Sequence, residues 1–149
     1  MTDEELRKLD ILVAEKVMGY VWMRYAGHPD ETGEGFIEAS LCEPKDWETY
    51  DKGKDGDRGR YMLDDGKYPR EEWPSTGRLP RFTKDREKAM AIVDKLGPGF
   101  ALNYVSDKGK SMWLACFKDY GIERAESASL AICLAALRAV GCKVEGRNA

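Results

Sequence analysis

The chain has a single histidine, His28, and its four cysteines at positions 42, 116, 133 and 142 form no C-x-x-C pair, so the clustered ligands a zinc site requires are missing. Long apolar runs are missing too. None approaches the roughly 20 residues that cross a bilayer, and the acidic start Met1-Thr2-Asp3-Glu4-Glu5 is the reverse of a basic secretory leader. Scattered cysteines, with Cys133 inside an apolar helical pattern, suit reduced thiols in a cytoplasm. Neither sign of charge dominates: 24 Lys and Arg face 27 Asp and Glu, a formal net charge of -3. No global field therefore draws the chain to duplex nucleic acid or to an anionic membrane.

Catalytic and cofactor motifs are equally scarce. There is no P-loop, and Gly33-Glu34-Gly35 lacks the third glycine of a dinucleotide fingerprint. The run from Asp51 to Met62 has Asp51, Asp55 and Gly56 at calcium-loop offsets, but Gly53 replaces a ligand and Met62 stands where the bidentate glutamate belongs. His28, in an expected loop beside Pro29, has no Ser or Cys nucleophile in a recognisable local motif. These absences argue against an enzyme and imply no metal and no cofactor. No repeat of solenoid length is present.

What the chain does contain is enough for one core: 149 residues, 42% hydrophobic and 10% aromatic. Thr2 and Glu5 form a capping-box pattern ahead of Leu6, Leu9, Leu12, Val13 and Val17 at helical spacing, closed by Gly19. Strands are predicted at 20–25, 36–41 and 60–63. Between them, residues 51–60 hold three glycines and no apolar side chain, which suits a surface loop, and Pro69, Pro74, Gly77 and Pro80 punctuate an irregular stretch beyond Leu63. Thr83 is placed to cap a second helix bearing Ala89, Met90, Ile92, Val93 and Leu96, ended by Gly97-Pro98-Gly99. Residues 100–105 and 112–117 flank a glycine-containing connection of hairpin length. Ser127 then starts a helix over 128–140 that is apolar almost all round, with Arg138 its one charge.

The expected fold class is therefore α+β, an antiparallel sheet of about four strands packed with three helices. It is expected as a single domain over 1–149 with an irregular, loop-rich insertion at about 26–81. The last helix has more apolar surface than one sheet face covers, so a second helix or a second subunit is needed, and a homo-oligomer is expected.

A binding site is suggested by placement. Trp22, Trp47, Trp73 and most tyrosines precede residue 74 and are interleaved with Arg24, Arg58, Arg60, Arg70, Arg78 and Arg81. Aromatic faces beside guanidinium groups can stack a base and hold a phosphate. A helix start at Thr83, with Arg78, Arg81 and Lys84 around it, adds free N–H donors and a positive dipole end. The candidate ligand site is thus Trp22, Arg24, Tyr61, Arg78, Arg81, Thr83 and Lys84, with no catalytic residue. The competing reading packs the aromatics on the sheet, lets the arginines balance local acid and makes the helix start an ordinary cap.

Four blocks in order, residues 12–19 (LVAEKVMG), 79–85 (LPRFTKD), 91–96 (AIVDKL) and 131–137 (AICLAAL), resemble the phage ABA-sandwich domain family. Residues 27–58 are largely outside the resemblance. Tyr20 replaces the family's usual Trp and Phe82-Thr83-Lys84 its Tyr-Ser-Thr, while Asp85 is kept. The resemblance implies an α/β/α sandwich encoded by a bacteriophage or prophage and active in the host bacterial cytoplasm, and it brings no chemistry of its own. Two functions are expected on that basis. One is counter-defence by sequestering a small anionic ligand such as a nucleotide immune signal; the alternative is a protein-protein inhibitor or adaptor acting on a host factor. Hydrolysis of a phosphate ester ranks third, since no constellation supports it.

Overall fold

The computed structural model describes residues 1–29, 35–43, 61–63 and 79–144. They fall in two compact units, residues 1–18 with 80–149 and residues 19–79. The sequence blocks 51–60 and 64–78, and with them Arg78, the proline-punctuated stretch and most of the calcium-like run, lie outside the described residues.

The first unit begins with α1, Asp3–Leu12. Its capping box is as expected: Glu5 N–H donates to Thr2 Oγ1 at 3.2 Å, and Thr2 N–H to the Glu5 carboxylate at 2.7 Å. That second bond holds the Glu5 carboxyl below its ordinary range. Past Leu12 the helix widens into a π-helical turn, Val13–Val17, in which Met18 N–H reaches back to the Val13 carbonyl at 3.0 Å. Val13, Ala14 and Val17 are buried there, and Gly19 comes next but one after them at φ +75°.

The second helix, α2, spans Arg86–Leu96, and its cap is Asp85 rather than Thr83. The Asp85 carboxylate accepts from Glu87 N–H at 3.0 Å and Lys88 N–H at 3.3 Å. Thr83 lies two residues earlier, in a turn where Arg81 O accepts from Lys84 N–H and Asp85 N–H, and it is buried.

The hairpin of β4 (Phe100–Asp107) and β5 (Lys110–Phe117) is present and longer than its sequence pattern. Its register runs unbroken from Phe100–Phe117 to Asp107–Lys110, so the loop tightens to Lys108-Gly109. Both loop residues have positive φ, 51° and 79°, the mirror-image turn that matches strand twist; glycine takes its share of that conformation without a Cβ penalty. A short strand β6, Glu123–Ala125, completes the order β4-β5-β6.

The third helix, α3 (Ala128–Ala139), is capped by Ser127, whose hydroxyl accepts from Leu130 N–H at 3.2 Å. It lies against β5 and β6 on one side and against α2, α1 and the π-helical turn on the other. Ala131 through Leu137 are all buried, and the side chains of Ile132, Leu134 and Leu137 each contribute roughly 1.5–3 kcal/mol by leaving water. The cover that the sequence asks for is supplied within the chain, so α3 gives no reason for an oligomer.

The second unit holds β1 (Val21–Pro29), β2 (Gly35–Cys42) and β3 (Tyr61–Leu63), antiparallel in the order β2-β1-β3. Pairing runs from Val21–Cys42 to Ala26–Ile37, with an irregularity before Pro29–Gly35. His28 lies in β1, not in a loop, because pairing with β2 carries the strand through it. The α+β class stands, with three α-helices among the described residues. One sheet of about four strands is corrected to two three-stranded sheets among the described residues, because β1 has β2 and β3 on its two sides and β5 has β4 and β6.

Candidate functional site

The turn ahead of α2 gathers three of the residues singled out in the sequence, Arg81, Thr83 and Lys84, around a carboxylate that sequence reasoning had not linked to them. Asp10, in the C-terminal half of α1, has no solvent exposure. A buried carboxylate needs charge-assisted partners, and Asp10 has two: Arg81 Nε–H donates to one oxygen at 2.9 Å and Thr83 N–H to the other at 2.8 Å. Arg81 Nη2 also donates to Asp3 Oδ1 at 2.9 Å, and Lys84 Nζ donates to the same oxygen at 2.6 Å. Hydrogen bonds from Lys84 and then Arg81 bring the Asp3 carboxyl down from 3.8 to about 2.

Two cations and two carboxylates thus alternate as Asp10, Arg81, Asp3 and Lys84. The first N–H groups of α2, which were to face an external anion, are capped by Asp85. The arrangement expected to receive an anion contains the chain's own anions.

The other expected residues stand elsewhere. Trp22 and Arg24 are in β1, opposite Leu41 and Met62 respectively, and Tyr61 is in β3, opposite Tyr25. Arg24 and Tyr61 are therefore one position out of step on adjacent strands of the second unit, a register that does not set them on one face, while Arg78 lies outside the described residues.

A different aromatic and cationic cluster emerges in the first unit. Hairpin register sets Tyr104 opposite Trp113, their ring centroids 5.0 Å apart and tilted by 57°. The Arg86 guanidinium, at the first residue of α2, sits over the Trp113 ring at 5.1 Å, within cation-π range. Tyr104 is 54% exposed although it shares the pleat face of the buried Ala115 and Phe117. The sequence held a signal for this pair: a two-residue turn at Lys108-Gly109 sets Asp107 opposite Lys110 and hence Tyr104 opposite Trp113. The density of aromatics before residue 74 pointed elsewhere.

Among the described residues, no group of three or more His, Cys, Asp or Glu is placed to hold a metal ion, and no helix is long and apolar enough to cross a membrane. Burial pushes the Cys133 thiol far above its ordinary range, which removes it as a nucleophile.

Among the described residues, three α-helices, antiparallel sheets, a π-helical turn in the LVAEKVMG block and an apolar α3 define an α+β protein of the sandwich class. The chain belongs to the Phage ABA sandwich domain family, whose pattern matches residues 11–137. A solved structure of similar fold is the 2.0 Å crystal structure of a phage protein from Bacillus cereus ATCC 14579, with a TM-score of 0.50 and 20% identity over 97% of this chain and 95% of that one. No curated protein matches the sequence.

Proposed function

We propose that this chain is a phage-encoded binding protein that acts by occupying a partner protein in the host cell, with no turnover, and that Tyr104, Trp113 and Arg86 form the contact. The observation that carries this reading is the contrast between two cationic clusters. Arg81 and Lys84 are engaged by Asp3 and Asp10, whereas Arg86 lies on an aromatic pair whose tyrosine is open to solvent. Trp, Tyr and Arg are the residues that anchor protein interfaces, and an open face suits a protein surface better than a small ligand, which needs a concave site to bury most of its area. Counter-defence, by blocking a host factor, is the setting in which such a phage protein would act.

Capture of a nucleotide-type signal is the second reading. It is favoured by one feature, the guanidinium over the Trp113 ring that Tyr104 packs against, which also suits a base and its phosphate.

The test compares the parent with Arg86→Glu, an exposed change, in two assays. Affinity purification from phage-infected cells is expected to recover a host protein with the parent and to lose it with Arg86→Glu at unchanged melting temperature. Calorimetry with cyclic and linear nucleotides, combined with recovery of the ligand, separates the alternatives. Nucleotide heat that Arg86→Glu abolishes replaces the protein partner by a small ligand, and a chemically altered nucleotide overturns the non-enzymatic reading altogether.

A further inference from the structure

Among the described residues, the two edges of the β4-β5-β6 sheet are of opposite kinds. β6 is three residues long and carries Glu123 and Arg124, a short charged edge that resists strand addition. β4 has eight residues, FALNYVSD, pairs with β5 without a bulge, and contains neither lysine nor proline. Ala101, Asn103, Tyr104 and Val105 along it are exposed. The usual devices that blunt an edge strand are missing from its central stretch.

The phase of the backbone decides what this edge offers. Lys118 N–H donates to the Gly99 carbonyl at 2.6 Å, and the two-residue turn closes on the Asp107–Lys110 pair, so the odd-numbered residues from Gly99 to Asp107 direct their N–H and C=O groups at β5. Phe100, Leu102, Tyr104 and Ser106 direct theirs the other way, to the open edge.

We infer that β4 pairs antiparallel with β4 of a second copy of this chain, about a two-fold axis through Asn103, joining the two sheets into one. In that register Leu102 of each copy stands opposite Tyr104 of the other and Phe100 opposite Ser106, so every edge-facing donor and acceptor of these four residues meets a partner. On the opposite face Ala101 meets Val105, apolar against apolar. Asn103 meets its own counterpart in a non-hydrogen-bonded pair, where Cα atoms approach to about 4.5 Å and side chains come close. A primary amide is complementary to itself there, each copy offering one N–H and one C=O. Centring the axis on Tyr104 instead sets Ala101 against Asp107 and Asn103 against Val105, and a one-residue slip puts paired side chains on opposite faces. Self-complementarity of this kind selects a second copy over an unrelated strand. Tyr104 is common to this pairing and to the contact proposed above, but Arg86→Glu leaves the β4 seam unaltered and Asn103→Asp leaves Arg86 and Trp113 unaltered, so the two readings fail separately.

Sedimentation equilibrium of the full chain is expected to give twice the 16.8 kDa chain mass. Asn103→Asp sets two carboxylates against each other on the axis while altering only an exposed side chain of the single copy, and it weakens the dimer roughly tenfold or more at neutral pH. Asn103→Lys does the same, and mixing the Asp and Lys variants restores a one-to-one pair. Leu102→Pro removes an N–H that β5 does not use and yields monomer. A monomeric parent at high micromolar concentration, or a dimer whose strength Asn103→Asp leaves unchanged, overturns the inference.

Discussion

Asp10 and Arg81 meet at 2.9 Å across 71 residues of chain, one carboxylate oxygen against the guanidinium Nε, while the other oxygen takes the Thr83 N–H. This contact ties α1 to the turn that launches α2. Asp10→Ala leaves the part-buried Arg81 Nε–H and the buried Thr83 N–H without their acceptor, although Asp3 keeps the guanidinium paired, and is expected to cost about 2 to 3 kcal/mol in urea unfolding. Asp10→Asn costs less, because an amide oxygen still accepts from Thr83. Equal losses for the two variants would mean that the charge, and not the Thr83 hydrogen bond, accounts for the whole effect.

Acid sensitivity arises from the outer carboxylate of the same cluster. The Asp3 pKa is depressed, so its contribution is fully present above the ordinary value of 3.8 and is lost as pH falls through about 2. Between those limits the stability of the parent should fall more steeply with acid than that of Asp3→Asn. Because Asp3 is exposed, added salt should shrink the difference. Parallel pH profiles at low salt would deny Asp3 its partners in solution.

Thr83 and Asp85 separate the cap expected from sequence from the cap that forms. The Thr83 hydroxyl is buried with no hydrogen-bond partner among the described residues, so Thr83→Val should leave stability unchanged or raise it. Asp85→Ala removes the acceptor for two N–H groups of α2 and should cost about 1 kcal/mol. Thermal melts of the two variants decide the matter, and a larger loss at Thr83 would restore it as the cap.

Gly121 adopts φ +110°, and a Cβ there would lie 2.5 Å from Arg138 Nε. That nitrogen donates to the Tyr120 carbonyl at 2.7 Å, and Nη1 of the same side chain reaches Glu123 at 3.2 Å. Gly121→Ala should therefore cost about 1 to 3 kcal/mol, from backbone strain and from displacement of the arginine. In an Arg138→Ala background only the strain remains, so a double-mutant cycle should show a smaller penalty for the glycine change. Additive losses would leave the arginine out of the account.

Sequence by itself determined the features whose causes lie within a few residues. The Thr2 and Ser127 caps, the start of α1, the end of α2 and the Lys108-Gly109 hairpin each come from a side chain or turn acting on its immediate backbone. The π-helical turn at 13–17 was not legible, since its spacing of apolar residues is that of an ordinary helix and its burial against α2 and α3 is what accompanies the wider form. Tertiary structure alone decided the rest. It folded residues 81–84 into a turn, held by Asp10 through the Thr83 N–H from 73 residues away, so that Asp85 and not Thr83 is the extended residue next to the first turn of α2, and it neutralised Arg81 and Lys84 with carboxylates that nothing in the local sequence connects to them. It divided the strands into two sheets, and it covered α3 from within the chain. Pairing partners and charge partners far apart in sequence are selected by where the elements meet, and neither periodicity nor composition carries that information.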